Sequence, residues 1–219
     1  MMKISRVLSY ILHPIFMPLL ALYIILNYID FFNILFFSYT TSLYVIVSLF
    51  TLVFPLISVL ISLKFNTISS LDMSTKEERN TPLFYTVILM IIGFSLFKTI
   101  SQLSPYLTSV YLSSIIILVM AFLITKKWKI SLHMLGIGGA TGSFIALNIV
   151  FGGLYYWIIL FFFLSGLLAF SRLALNAHTK DQVYTGFFLG CLLQTFFILY
   201  FNSIISTISI FLSSMASLL

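Results

Sequence analysis

The chain has 219 residues, 61% hydrophobic and 7% charged, with eleven lysines and arginines against five acids for a net charge of +6. So few charges cannot cover a water-soluble globule of this size, and the apolar runs reach membrane-spanning length, which excludes a soluble enzyme and a second soluble domain. The positive balance needs no nucleic acid to explain it, because basic residues gather in the loops that membrane proteins keep in the cytoplasm.

Apolar runs of roughly 17 to 25 residues read as spans, and they fall near 7–28, 41–64, 82–99, 106–125, 132–150, 153–170 and 182–201. The expectation is an all-α fold, a polytopic transmembrane helical bundle of about seven spans, within a range of six to eight, forming a single integral membrane domain over 1–219. The first run is too long, and too soon followed by others, for a cleaved signal peptide, so it is expected to stay as an anchor. His13-Pro14-Ile15-Phe16-Met17-Pro18 predicts a bent, irregular or even re-entrant entry to it. The stretch from Ser203 to Leu219 is Ser-rich and barely long enough to cross, and reads as a short eighth helix or an interfacial segment.

Counting spans places the N-terminus and the loops 65–81, 126–131 and 171–181 on one face. That face carries Lys3, Arg6, Lys64, Lys76, Arg79, Lys126, Lys127, Lys129, Arg172 and Lys180, and only Lys98 falls on the other. The positive-inside rule puts it in the cytoplasm, and the bias survives without Lys76, Arg79 and Arg172. His13, His133 and His178 lie near the same face. Imidazoles at one level suit zinc or copper, but no HExxH or CxxC pattern accompanies them and Cys191 lies within a span, so no metal site is expected.

Three polar segments on this face invite chemistry, and each has a plain structural alternative. Asp72-Met73-Ser74-Thr75-Lys76-Glu77-Glu78-Arg79-Asn80-Thr81-Pro82 contains Arg79, yet Ser74 with Glu77, or Thr75 with Glu78, fits a capping box. Lys126-Lys127-Trp128-Lys129-Ile130-Ser131-Leu132-His133 brings bases, a hydroxyl and an imidazole to a helix start suited to phosphate; it also looks like an ordinary membrane interface. The glycine-rich helix that follows places Gly138 and Gly142 in a small-xxx-small strip for close packing. Ser171-Arg172-x5-His178 is the sharpest break, since ionisable groups between apolar segments are costly unless paired or functional. Beyond it, Thr179-x-x-Gln182 fits another capping box, and Asp181 suits a helix N-terminus.

In order, spacing and shared face, these segments resemble the three signature motifs of the type 2 phosphatidic acid phosphatase superfamily of membrane lipid phosphatases, which read K-x6-RP, PSGH and SR-x5-H-x3-D. Ser171-Arg172-x5-His178 matches the first half of the third motif, with Val183 and Gly186 continuing it. Ser131-x-His133 matches half of the second, and Arg79 with Pro82 is a loose form of the first. The motif region covers 72–186, and the short chain with His13-Pro14 near its start is similar to small bacterial members. Departures are specific. Gln182 stands where the family has an aspartate, with Asp181 one residue early; Lys76 precedes Arg79 by too few positions; the second motif lacks its proline and has Leu132 for glycine.

The resemblance implies that His178 attacks phosphorus and that His133 protonates the leaving alkoxide and then activates water. It also implies that Arg172, Arg79, Ser131, Lys76 and Ser171 hold phosphate, without metal or cofactor. Gln182 or Asp181 would orient the His178 ring. The implied partners are a phosphorylated lipid, such as phosphatidate, phosphatidylglycerophosphate or polyprenyl diphosphate, and the bilayer, with no nucleic acid; no oligomeric state follows. The implied location is the bacterial inner membrane, and bacterial relatives act on its outer side, against the charge count. The alternatives are an inactive relative that binds or moves a phosphorylated lipid or anion, and a plain helical scaffold.

Overall fold

A computed structural model describes residues 2–70, 73 and 75–216, with side chains described through residue 201. The protein is an all-α polytopic bundle. Seven segments among the described residues are long and apolar enough to cross a membrane: Met2–Tyr28, Phe37–Lys64, Lys76–Ser101, Pro105–Thr125, Leu132–Phe151, Tyr155–Ala174 and Lys180–Phe201. Each contains or overlaps one expected span. The helices are α1 (Met2–Ile11), α2 (Met17–Tyr28), α3 (Asp30–Leu35), α4 (Thr40–Ser48), α5 (Phe54–Lys64), α6 (Lys76–Ser101), α7 (Pro105–Thr125), α8 (Leu132–Phe151), α9 (Tyr155–Ala174) and α10 (Lys180–Ala216). Residues 203–216 continue α10 without a break and form no separate eighth helix, and 217–219 lie outside the described residues.

The first span is broken where its prolines predicted. Pro14 has no N–H to continue α1, and the His13 Nδ1 instead accepts from the Ile15 N–H at 3.3 Å, opening a 3-10 turn over Pro14–Phe16. α1 packs on α9, while α2 descends along α8. Tyr28, at its foot, meets Trp157 edge-to-face at 4.8 Å beside the α8–α9 turn. Residues 14–28 therefore run from one end of the bundle to the other and do not re-enter.

α6 begins at Lys76 rather than near 82, because its start is set by a cap and not by apolar content. The Thr75 side chain accepts from the Glu78 N–H while the Glu78 carboxylate accepts from the Thr75 N–H. This is the Thr75–Glu78 version of the two expected boxes, and Ser74 lies outside the described residues. Starting early carries Arg79 onto the helix and leaves Pro82 within it.

α8 is the central helix, with 61% of its span window buried against 22–39% in the other six. Its strip of Gly138 and Gly142 lies against the carbonyls of Phe187 and Cys191 on α10. α10 reciprocates, setting Gly186 and Gly190 against the carbonyls of Ser131 and Leu135. Two glycine faces thus bring backbone onto backbone, the approach that lipid-embedded helices use in place of a hydrophobic drive. The other side of α8 buries Phe144 edge-to-face on Phe161 of α9 at 4.8 Å. The consequence for function is at the top of this pair, where the starts of α8 and α10 meet.

Candidate active site

Hydrogen bonds join the four same-face segments at one end of the bundle. Arg79 of α6 donates through Nε to the Met73 carbonyl at 3.0 Å and through Nη1 to the Ile130 carbonyl at 3.3 Å. The Ser131 N–H donates to the Gln182 carbonyl at 3.3 Å. His133 on α8 and Ser171 on α9 both reach α1, as described below. The shared face predicted from span counting is thus a contiguous polar cluster, with Arg79 and His178 both buried within it.

His178 sits just before α10, and its Nδ1 lies 3.0 Å from Gln182 Oε1. That oxygen also accepts from the Thr179 N–H at 3.2 Å, while the Gln182 N–H donates to the Thr179 hydroxyl at 3.4 Å. The Thr179 bond identifies the Gln182 atom as an oxygen, so the proton between His178 and Gln182 belongs to His178 Nδ1. The tautomer follows: Nε2 keeps its lone pair. Gln182 caps α10 and orients the imidazole at once, so the two readings of this residue are one arrangement. Asp181 is exposed and makes no bond to the ring, which decides between the two expected partners.

Burial pushes the His178 imidazole down from 6.5 to about 4, and the charges of Arg79, Arg172 and Lys129 push the same way, against the hydrogen bond that the ring donates to Gln182. The ring is neutral at neutral pH, as a nitrogen nucleophile must be. Burial, followed by the charges of Arg79 and Arg172, lowers Lys129 as well. Arg79, Arg172 and Lys129 thus stand close enough for each to raise the cost of its neighbours' charge.

The remaining expected residues divide. Arg172, in the last turn of α9, lies within electrostatic reach of Arg79, His133 and His178. Ser131 is the N-cap of α8, its hydroxyl accepting from the Met134 N–H at 3.5 Å; its own N–H is spent on Gln182, and its side chain is fully buried. His133 turns the other way, with Nε2 3.1 Å from the Ser9 carbonyl and its ring edge-to-face with His13 at 4.9 Å. A carbonyl only accepts, so His133 Nε2 carries the proton. Ser171 is not placed for phosphate: its hydroxyl donates to the Ser5 carbonyl, which makes Ser9 the donor in the 2.8 Å contact between the Ser9 and Ser171 hydroxyls. Lys76 also stands apart, 3.9 Å from Glu77 at the start of α6.

Sequence reasoning passed over three contributors. Lys129 was visible only as part of an interfacial run, and Ser5 and Ser9 carried no signal at all, since small hydroxyls on a helix gain meaning from what they face. Beside the cluster opens an apolar cavity of about 240 Å³ between α2, the α4–α5 span, α6, α7, α8 and α10, whose lining includes Arg79, His13 and Met73 but not His178 or Arg172. Comparison with family models, curated proteins and solved structures returns no match for this chain.

Proposed function

We propose that the protein is a membrane lipid phosphatase of the type 2 phosphatidic acid phosphatase kind, removing phosphate from a phosphate monoester or diphosphate on a lipid of a bacterial inner membrane. The observation that carries this reading is a neutral His178, oriented through Nδ1 by Gln182 with Nε2 unprotonated, inside a cluster of Arg79, Arg172 and Lys129. Guanidinium forks and a helix start neutralise the equatorial oxygens, which is most of what phosphoryl transfer asks of a protein.

In this reading His178 Nε2 attacks phosphorus, and the bond from phosphorus to the lipid oxygen breaks. The phosphate dianion brings the negative charge under which His133 takes up a second proton, which it then delivers to the leaving alkoxide. Water next attacks the phosphohistidine with His133 as base, the P–N bond breaks, and inorganic phosphate leaves with His178 neutral again. Arg79 and Arg172 hold the phosphoryl oxygens throughout, helped by the Ser131 hydroxyl.

One observation favours a second reading. Gln182 is a neutral amide, and it stabilises a developing imidazolium less than a carboxylate does; a protein that only binds or moves a phosphorylated lipid would tolerate it. Phosphate release in detergent from phosphatidate, phosphatidylglycerophosphate and undecaprenyl diphosphate separates the two. Release by wild type that vanishes in His178→Ala supports the phosphatase, and no release by folded wild type supports the binder.

A further inference from the structure

The residues of α1 sort into three stripes. Ser5, Ser9 and, just past the helix end, Leu12 are buried; Ile4, Val7 and Ile11 are exposed, and so are Lys3, Arg6 and Tyr10. Within a stripe the residues stand three or four positions apart, so each stripe is one face of the helix. The sorting is the inverse of a helix in water, which buries its aliphatic face and shows its hydroxyls. Here two serines face the bundle and three branched aliphatic side chains face away from it.

The inward stripe fixes where the helix lies. The Ser9 carbonyl accepts from His133, the second residue of α8, and Ser171, in the last turn of α9, donates to the Ser5 carbonyl and accepts from the Ser9 hydroxyl. Both contacts are made at helix ends on the site side of the bundle. Residues 14–28 make the crossing by themselves, and the break at Pro14 frees α1 from continuing it. At this level the two outward stripes meet different surroundings: Ile4, Val7 and Ile11 suit the acyl boundary, while Lys3 and Arg6, with Tyr10 beside them, suit the head groups. No acid lies on α1 to neutralise the two cations.

We propose that α1 is a membrane-surface sensor, which docks Lys3 and Arg6 on anionic phospholipid head groups and in docking holds the Ser9 carbonyl on His133. A Lys or Arg near an anionic leaflet shifts docking by about fivefold, so the pair contributes about thirtyfold. The link to the site is one hydrogen bond long. His133 keeps its proton on Nε2 because a carbonyl faces that atom, and lifting α1 away removes the acceptor that selects this tautomer. Neither half depends on whether a lipid phosphate is cleaved.

The full chain is placed in nanodiscs of phosphatidylcholine alone, or of phosphatidylcholine and phosphatidylglycerol in equal parts, with an environment-sensitive fluorophore on Val7→Cys; the native Cys191 is buried. In the mixed discs a nitroxide high on the lipid chain is expected to quench the label more than one near the chain end. Lys3→Gln/Arg6→Gln, at two exposed positions that leave the packed face intact, lowers the ratio of lipid-seated to water-exposed label about thirtyfold. NMR of isotope-labelled histidine, with His133 assigned through His133→Gln, is expected to show a single Nε2–H tautomer for wild type in mixed discs and a mixture in the double variant. Stronger quenching from the chain end puts α1 in the crossing, and quenching from neither depth puts it in water; each overturns the proposal. So does quenching that ignores both phosphatidylglycerol and the double variant, or a His133 signal that is the same in wild type and the double variant.

Discussion

At the scale of single residues, the amide of Gln182 does a job for which a carboxylate is better suited. Gln182→Glu keeps the side-chain length and both acceptor contacts, to His178 Nδ1 and to the Thr179 N–H. It adds the negative charge that stabilises an imidazolium. Phosphate release from the Glu variant is expected to rise about tenfold, whereas Gln182→Leu loses the tautomer and falls by about 10²–10⁴-fold, the range that positioned proton chemistry contributes. The acid limb of kcat/KM gives a separate check. His178 takes up a second proton, on Nε2, only below about 4, so in the free protein the rate falls as pH drops through that value and not through 6.5. Lys129→Met removes one of the cations that depress it and moves the limb toward neutral pH. Ser171→Ala is expected to cost about 1 kcal/mol of stability through the lost bonds to α1, with phosphate release unchanged. That contrast shows what was legible here. Arg172 and His178 were readable from their spacing, but the role of Ser171 was not, because Ser5 and Ser9 stand at the far end of the chain.

At the scale of elements, the α8–α10 contact is what brings Ser131 to Gln182. A side chain on Gly190 would run into the Leu135 carbonyl and the Gly139 backbone nitrogen, both belonging to a helix already in contact along its length. Gly190→Ala is expected to destabilise by about 1–3 kcal/mol, the usual cost of overpacking, and to lower phosphate release as the helix starts part. Gly166→Ala is the control, since nothing lies within 4 Å of its added carbon. Thermal unfolding in detergent, read beside activity, distinguishes the pair. Half of this contact was visible in the sequence: Gly138 and Gly142 form a recognisable strip, while Gly186 was legible only as part of a motif and Gly190 carried no signal. A glycine face has no meaning until its partner is known. The start of α6 was misplaced for a related reason, because hydropathy detects where a helix enters lipid and not where a capping box begins it.

At the scale of the whole molecule, the bundle has a strongly basic end and one with a single lysine, and the expected orientation follows from that asymmetry. Arg79, Arg172 and Lys129 belong to the basic cluster around His178 and should not be counted as topology signals. Without them the site end still carries Lys3, Arg6, Lys64, Lys76, Lys126, Lys127 and Lys180, and the other end only Lys98. With seven segments long enough to cross in alternation, the positive-inside rule predicts that the site end faces the cytoplasm. Lys127 and Gln102 are both exposed, at opposite ends of α7, and the native Cys191 is buried. In intact cells a membrane-impermeant maleimide is therefore expected to label Gln102→Cys and to spare Lys127→Cys until the membrane is opened. The reverse pattern would place the cluster outside, as in the bacterial enzymes the motifs resemble, and would mean that Arg79 and Arg172 meet lipid phosphates of the outer leaflet. The charge count bears directly on the proposed substrate, because the leaflet that the site end faces decides which lipid phosphates could present a head group to Arg79.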